Sequence, residues 1–345
     1  MPTRGTGRGP GDAAPTIGEV AAAAGVSRAT VSRAFGRPQM LRPETVERVQ
    51  EAARHLGYVP NRVARALSTG RFGNLALVVP DIANPFFPPM IRAVQGRADR
   101  AGFAVFLGDA DEDPAREEVL LRQLSTQVEG FVLASSRLTD ERIRAHAERR
   151  PLVLVNRDVE GIPRVLIDTT RAVGQAVEHL HELGHRRIAY LSGPAGSWSN
   201  RQRRRAVKRA GDRLGVEVLM VPAGRATFEL GRLAVPALLA TGATAVVAFD
   251  DLVAQGVLAG LSEQGVGVPA GLSVVGCDDV LATRTYPPLT TVSARSAEAG
   301  AAAVDLLAGM LTPGAPLADT RLLLDTSLVV RVTTGPPPRG GPRRP

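Results

Sequence analysis

From residue 73 to residue 334 short runs of branched aliphatic residues alternate with longer amphipathic stretches. The runs at 75–79, 104–107, 130–133, 152–155 and 165–167 predict buried strands, with helices at 90–101, 114–127 and 140–149 between them. A second set follows, with strands at 187–191, 216–221, 245–248 and 273–275 and helices at 172–183, 202–214, 231–240 and 251–264. A strand followed by a helix can return to the same sheet only as a parallel neighbour, and helices then cover both faces. Two such sets in series predict an α/β core of two doubly wound parallel-sheet subdomains with a cleft between them. In open sheets of this kind ligands bind at the carboxyl ends of the strands.

The chain has 345 residues, 44% hydrophobic and 22% charged, enough apolar material for a core. No run approaches ~18 consecutive apolar residues, so a transmembrane helix is excluded from the reading. The opening MPTRGTGRGPGDAAP is charged, rich in Gly and Pro, and has no apolar stretch behind it, so no secretory signal is expected. The single cysteine, Cys277, can form neither an internal disulfide nor a cysteine-based zinc site, and a cytoplasmic location is expected. There is no P-loop, no dinucleotide-binding glycine fingerprint after a strand and no nucleophile elbow. His181 and His185 stand four apart but lack a third ligand, so helix-end hydrogen bonding is the better reading. The expectation is therefore a non-enzyme without cofactor or metal.

Charge is uneven. Lys plus Arg number 42 against 34 acids, and eleven arginines against five acids fall in residues 1–72. A basic segment beside a near-neutral body suggests one module that meets a polyanion and one that does not. Within that segment Thr16-Ile17-Gly18-Glu19 is a capping box, in which Thr16 accepts from the Glu19 amide and Glu19 reaches back. The helix it opens ends at Gly25, which suits the left-handed turn conformation. Ser27 caps a second helix whose Val31, Ala34 and Phe35 form one inward stripe. A third helix starts at Pro43 and ends at Gly57. Two short helices about a glycine turn make a helix-turn-helix, whose second helix enters the major groove. Arg28 can pair bidentately with guanine and Ala29 can touch a thymine methyl. Arg33 is a further base contact that can also reach phosphate, while Thr30 and Ser32 suit phosphate. A three-helix bundle without any DNA role has the same helical pattern.

The ordered run TIGEVAAAAGVSRATVSRAFGRP, then GYVPNRVARAL, resembles the DNA-binding headpiece of the LacI/GalR (lactose-repressor) family. The resemblance implies an all-α helix-turn-helix headpiece at 16–60 and a hinge helix with linker at 61–72. Asn61 would cap the hinge helix, Leu67 would be its minor-groove wedge, and Arg62 and Arg65 would contact phosphate. Thr16 and Ser27 would support the backbone contacts. Residues 1–15 and 335–345 are expected to be disordered tails.

NPFF, HLHELGHRRIAYLSGP, FDD, SVVGCDD and YPPLTTV continue the resemblance. They imply a periplasmic-binding-protein-like core at 73–334 that binds a small effector, a carbohydrate or related metabolite. One subdomain would span 73–168 plus 294–318, the other 169–293 plus 319–334. Arg201, Asp278 and Asp250 would contact the effector, with Phe86, Asn84 and Arg157 on the opposite wall. Cys277 stands where the family has an aromatic, and Ala206 and Val207 replace a glycine and an aromatic. With the basic run 201–205, these departures make an acidic or phosphorylated effector conceivable. The resemblance also implies a homodimer, joined through the helix at 297–310, reading a near-palindromic double-stranded DNA operator.

Overall fold

A computed structural model describes residues 15–36, 38–58, 72–222, 224–312 and 319–338. The chain divides into two compact units, 1–73 and 74–345.

The first unit contains α1 (Ile17–Ala24), α2 (Arg28–Gly36) and α3 (Pro43–Leu56). Thr16 and Glu19 form the expected reciprocal cap. Gly25 ends α1 at φ 64°, a conformation that costs glycine little because it has no Cβ. Val20, Ala24, Val31, Ala34, Val49 and Ala53 close a core of small side chains, with Phe35 and Tyr58 packed against it. Small residues let three short helices approach closely. The hinge residues Asn61, Arg62, Arg65 and Leu67 lie outside the described residues.

The second unit begins with β1 (Asn74–Val79), α4 (Phe87–Arg100), β2 (Ala104–Asp109), α5 (Pro114–Leu124), β3 (Gly130–Ala134), α6 (Asp140–Ala147), β4 (Leu152–Val155) and β5 (Arg164–Asp168). Then come α7 (Thr170–Glu182), β6 (Arg187–Ser192), α8 (Trp198–Leu214), β7 (Glu217–Pro222), α9 (Phe228–Leu233), α10 (Val235–Ala240), β8 (Ala245–Ala248), α11 (Asp251–Glu263), β9 (Ser273–Asp278), β10 (Thr290–Ser293), α12 (Ser296–Met310), β11 (Arg321–Asp325) and β12 (Leu328–Val329). The first sheet has the order β11-β5-β4-β3-β1-β2 and is parallel throughout. The second has the order β12-β10-β9-β8-β6-β7, with only the β10–β12 pair antiparallel. In each sheet the winding reverses beside the first strand, between β1 and β3 and between β6 and β8, which opens a crevice at the carboxyl ends.

Three features depart from the sequence reading. The single helix expected at 231–240 is two helices. Pro236 stands in the first turn of α10 and has no N–H to bond residue 232, so the helix breaks at Ala234. Residues 319–325 were expected in the second subdomain but belong to the first sheet. There β11 runs parallel to β5, with Arg321 opposite Arg164. Asp158 joins that pair of strands, accepting from Arg321 at 3.0 Å and also from Arg164. His185 does not share a helix face with His181, because α7 ends at Glu182 and Gly184 turns at φ 103°. The His185 ring instead bridges Thr244 Oγ1 at 2.7 Å and the Gly335 carbonyl at 2.9 Å.

The chain passes between the two halves after β5, after β10 and after β11. The helix α12 returns to the first half, where Ala299, Ala303, Val304 and Leu307 pack with Met90 and Val94 of α4.

Candidate functional site

In the first unit α2 turns Val31 and Ala34 inward and leaves Arg28, Ala29, Ser32 and Arg33 exposed. That division follows from helical spacing, which puts 31, 34 and 35 on one side. The Arg28 guanidinium lies over α1, with Nη2 3.1 Å from where a Cβ on Gly18 would sit. Ser27 Oγ accepts from the Thr30 amide at 3.1 Å and bonds Thr30 Oγ1 at 2.9 Å. Thr16 Oγ1 is bonded to Glu19 Oε2 at 3.0 Å. The Thr16 and Ser27 hydroxyls therefore serve first as helix caps, and that of Thr30 is held by Ser27. The exposed face of α2 carries two arginines and no acid.

In the second unit loops after strands of both sheets converge on one cleft of about 390 Å³. Asn84, Phe86 and Phe87 enter after β1, Glu112 after β2, Ser135 and Arg137 after β3, and Asn156 after β4. From the other half come Ser197, Ser199 and Arg203 after β6, Ala226 after β7, Phe249 and Asp250 after β8, and Asp278 at the end of β9. Of six non-glycine residues with positive φ among the described residues, Glu112, Ser135, Asn156 and Asp278 line the cleft. Backbone strain of this kind concentrates where function fixes the geometry.

Arg203 is the buried cation of the site, 4% exposed. Its Nη2 donates to Asp278 Oδ1 at 3.1 Å, and Nη1 donates to the Phe249 carbonyl. The guanidinium carbon stands 4.9 Å from the Phe249 ring centre, a cation–π distance. Its Nε is buried without a hydrogen-bond partner among the described residues, a donor available to a ligand. Burial opposes its charge, yet the neighbouring acids hold the guanidinium above its ordinary range. Burial also pushes the Asp278 carboxyl well up, against the opposing pull of Arg203.

Asp250 caps α11 through Oδ1, which accepts from the Val253 amide at 2.8 Å. Its Oδ2 accepts from Asn84 Nδ2 at 2.9 Å, across the cleft from the first half. Burial raises the Asp250 carboxyl, and the bonds from Val253 and Asn84 counteract the rise. Phe86 and Phe87 meet edge to face, 5.0 Å between ring centres. Asn200 fixes the loop after β6, accepting from Tyr190 Oη at 3.0 Å and the Gly193 amide at 3.1 Å. Gly193 is needed there because a Cβ would fall 2.3 Å from the Phe249 ring.

Four residues expected at the effector site, Asn84, Phe86, Asp250 and Asp278, line this cleft; Arg201 and Arg157 do not. Arg201 turns outward and donates to the Gly196 carbonyl at 3.2 Å. Arg157 is buried beside α6, donating to Asp140 at 2.6 Å and to the Leu138 carbonyl at 2.9 Å. The inward arginine is Arg203. It shares the buried stripe of α8 with Ala206, Val207 and Ala210, and that helical spacing is a signal the sequence does carry. Residues 201 and 203 are about 200° apart around a helix, so both cannot face the cleft. Asn156 opens a loop that follows a strand, where the sequence already places chemistry, whereas Glu112 and Arg137 were not anticipated, because their loop positions have no periodicity to mark them.

Phenyl faces beside paired charges suit a hydroxyl-bearing molecule, whose CH side stacks while its hydroxyls bond carboxylate and guanidinium. The ionisable lining is Glu112, Arg137, Arg203, Asp250 and Asp278, without a histidine or cysteine. Burial pushes the Cys277 thiol up, which keeps it protonated behind the site. No metal-binding group of His, Cys, Asp or Glu occurs among the described residues. Nor is any described helix long and apolar enough to cross a membrane.

Residues 16–61 match the family model described as bacterial regulatory proteins, lacI family. Residues 177–334 match a periplasmic binding protein-like domain. The chain is 34% identical over 333 residues to the HTH-type transcriptional repressor CytR of Escherichia coli (strain K12), covering 94% of this chain and 97% of that one. To the HTH-type transcriptional regulator DegA of Bacillus subtilis (strain 168) it is 32% identical, covering 93% and 98%. Its fold is similar to that of the lac repressor dimer bound to operator and an anti-inducer, with a TM-score of 0.81 and 28% identity over 93% and 99% of the two chains. The transcriptional regulator CelR in complex with cellobiose aligns with a TM-score of 0.69 and 32% identity over 92% and 99%.

Proposed function

Because the chain belongs to the lacI family of bacterial regulatory proteins, we propose that it is an effector-controlled repressor of transcription. The observation that carries this reading is the pairing of an exposed, arginine-bearing α2 in one unit with a polar, strained cleft in the other. The helix α2 enters the major groove of an operator. Arg28, Ala29 and Arg33 reach base edges, while Thr16, Ser27, Thr30 and Ser32 support backbone contacts. The segment at 61–72 adds Asn61, Arg62 and Arg65 as phosphate or supporting contacts and Leu67 as the minor-groove wedge. A homodimer reads a near-palindromic site.

A carbohydrate or related metabolite binds between the halves of the core, held by Asn84, Phe86, Asp250, Asp278 and Arg203. The lac repressor supports a dimer on operator DNA, and CelR with cellobiose supports a sugar effector. Effector binding shifts operator affinity only through a difference in affinity for two arrangements of the core. The protein acts in the cytoplasm and catalyses no reaction. A gel-shift titration with DNA from its own promoter region, against random DNA of equal length, tests the reading. Retardation at concentrations at least tenfold below those needed for random DNA is expected, and equal affinity would exclude specific repression.

A further inference from the structure

The two lips of the cleft differ in charge. On one, Arg225 of the second half is ion-paired with Asp111 of the first, and Asp81 reinforces the attraction. That lip closes on opposite charges. On the other, Arg201 of α8 donates to the Gly196 carbonyl at 3.2 Å. The Cδ of Arg137, from the first half, is 3.5 Å from the Cβ position of the same Gly196. Arg157 stands behind, 8% exposed, and its buried Nε has no hydrogen-bond partner among the described residues.

The acids on this second lip are already used. Glu112 is bonded to Arg137 at 2.6 Å and Asp140 to Arg157 at 2.6 Å. Arg201 and Arg205 have no ion-pair partner among the described residues. Burial and the like charges of Arg157, Arg205 and Arg137 push the Arg201 guanidinium below its ordinary range. Cations thus face each other from both halves, beside the cleft residues Arg137 and Ser197. Closing this lip brings like charges together unless an anion lies between them, and guanidinium forks match phosphoryl and carboxylate oxygens well.

We propose that the lip formed by Arg201, Arg137 and Arg157 is an anion subsite of the effector cleft, and that the effector presents a phosphoryl or carboxylate group to it. The uncharged, hydroxylated part of the same molecule lies inward against Asp250, Asn84 and the Arg203–Asp278 pair. This rests on the effector-cleft reading above. The anion bridges the two halves, so it binds the closed arrangement better than the open one, which is the difference in affinity a switch requires.

Thermal unfolding of the full chain in sodium phosphate, against sodium chloride of equal ionic strength, tests the subsite. At roughly ten times its dissociation constant, phosphate is expected to raise the Tm over chloride by on the order of 3 °C. Arg201→Gln should lose most of that shift and Arg201→Lys should keep part of it. Equal Tm values in the two salts, or an undiminished shift in Arg201→Gln, would overturn the proposal. Ribose 5-phosphate and glucose 6-phosphate, each compared with its parent sugar plus free phosphate, separate the two sources of the anion. A larger shift from either tethered compound supports an anionic effector. Equal shifts from both would leave a free phosphate ion as the occupant and overturn that part. Operator binding by gel shift reads independently of all these outcomes, so a failed subsite and a failed repressor reading remain distinct.

Discussion

Asn84 donates to Asp250 across the cleft at 2.9 Å, so one hydrogen bond ties the loop after β1 in the first half to the cap of α11 in the second. Both groups are buried. The bond therefore exists only when the halves are together, and it holds the two walls in the register that a ligand meets.

Asn84→Leu removes that donor and leaves Asp250 Oδ2 buried without it. A hydrogen bond to a charged group is worth about 1.5–3 kcal/mol, which corresponds to roughly tenfold or more in the closed population. Trp198, the only tryptophan, starts α8 between the lining residues Ser197 and Ser199, so its fluorescence reports the cleft. The variant is expected to shift its emission toward that of an opened cleft without loss of cooperative unfolding.

The Arg203–Asp278 pair is buried at both ends. Asp278→Ala strands a guanidinium that also serves the Phe249 carbonyl, and breaking such a pair costs about 3–5 kcal/mol. Urea denaturation should show a lower midpoint of that size. A change below about 1 kcal/mol, the level of an exposed pair, would mean that water reaches Arg203.

Gly193→Ala places a Cβ 2.3 Å from the Phe249 ring. Overpacking of this kind costs about 1–3 kcal/mol, and the ring can yield only by leaving its place against Arg203. Both the unfolding midpoint and effector affinity are expected to fall. Gly161→Ala, where nothing lies within 4 Å but φ is 84°, should lower stability alone.

Asp251 titrates in a useful window. Burial pushes its carboxyl up to about 6 from 3.8, against the hydrogen bond from Thr291 at 2.6 Å. Between pH 3.8 and about 6 the folded chain holds a proton that the unfolded chain has released. This contribution to stability is therefore present below 3.8 and is lost as pH rises through about 6. Asp251→Asn cannot ionise, so its stability curve should lack that descending contribution. Identical pH slopes for the two proteins would show that Asp251 does not titrate there.

Arg28→Ala is expected to cost about 1–3 kcal/mol of operator affinity and to relax preference at one base position. Arg65→Ala should weaken all sequences alike and reduce the salt dependence by about one phosphate contact. Selection from a randomised operator library distinguishes the two patterns.

The sequence carried the repeating elements. Apolar period and turn residues located nine of the twelve strands, because buried parallel strands are continuous runs of Val, Leu and Ile. It missed β10, whose TTVS is short and half polar, and β11 and β12, since RLLLD and LV form edge strands, exposed or half-buried, without an alternating pattern. The site was half legible. Asn84 and Asp250 lie in loops that follow strands and Asp278 ends one, at the carboxyl ends where chemistry in this topology concentrates. Asn156, next after β4, carries the same mark, whereas Arg137 and Glu112 carry none beyond lying in loops.

What the sequence determined by itself is which face of each element is apolar, and hence a three-helix reader and two wound sheets. Helical spacing puts Arg203 and Arg201 on opposite sides of α8, and the packing of α8 on its sheet decided that the side of Arg203 meets the cleft. Packing Ala206, Val207 and Ala210 inward carries Arg203 with them and swings Arg201 to the rim. Local pattern fixes what a residue prefers, but three passages of the chain between the halves set what it meets, and those contacts join residues such as Asn84 and Asp250, 166 positions apart.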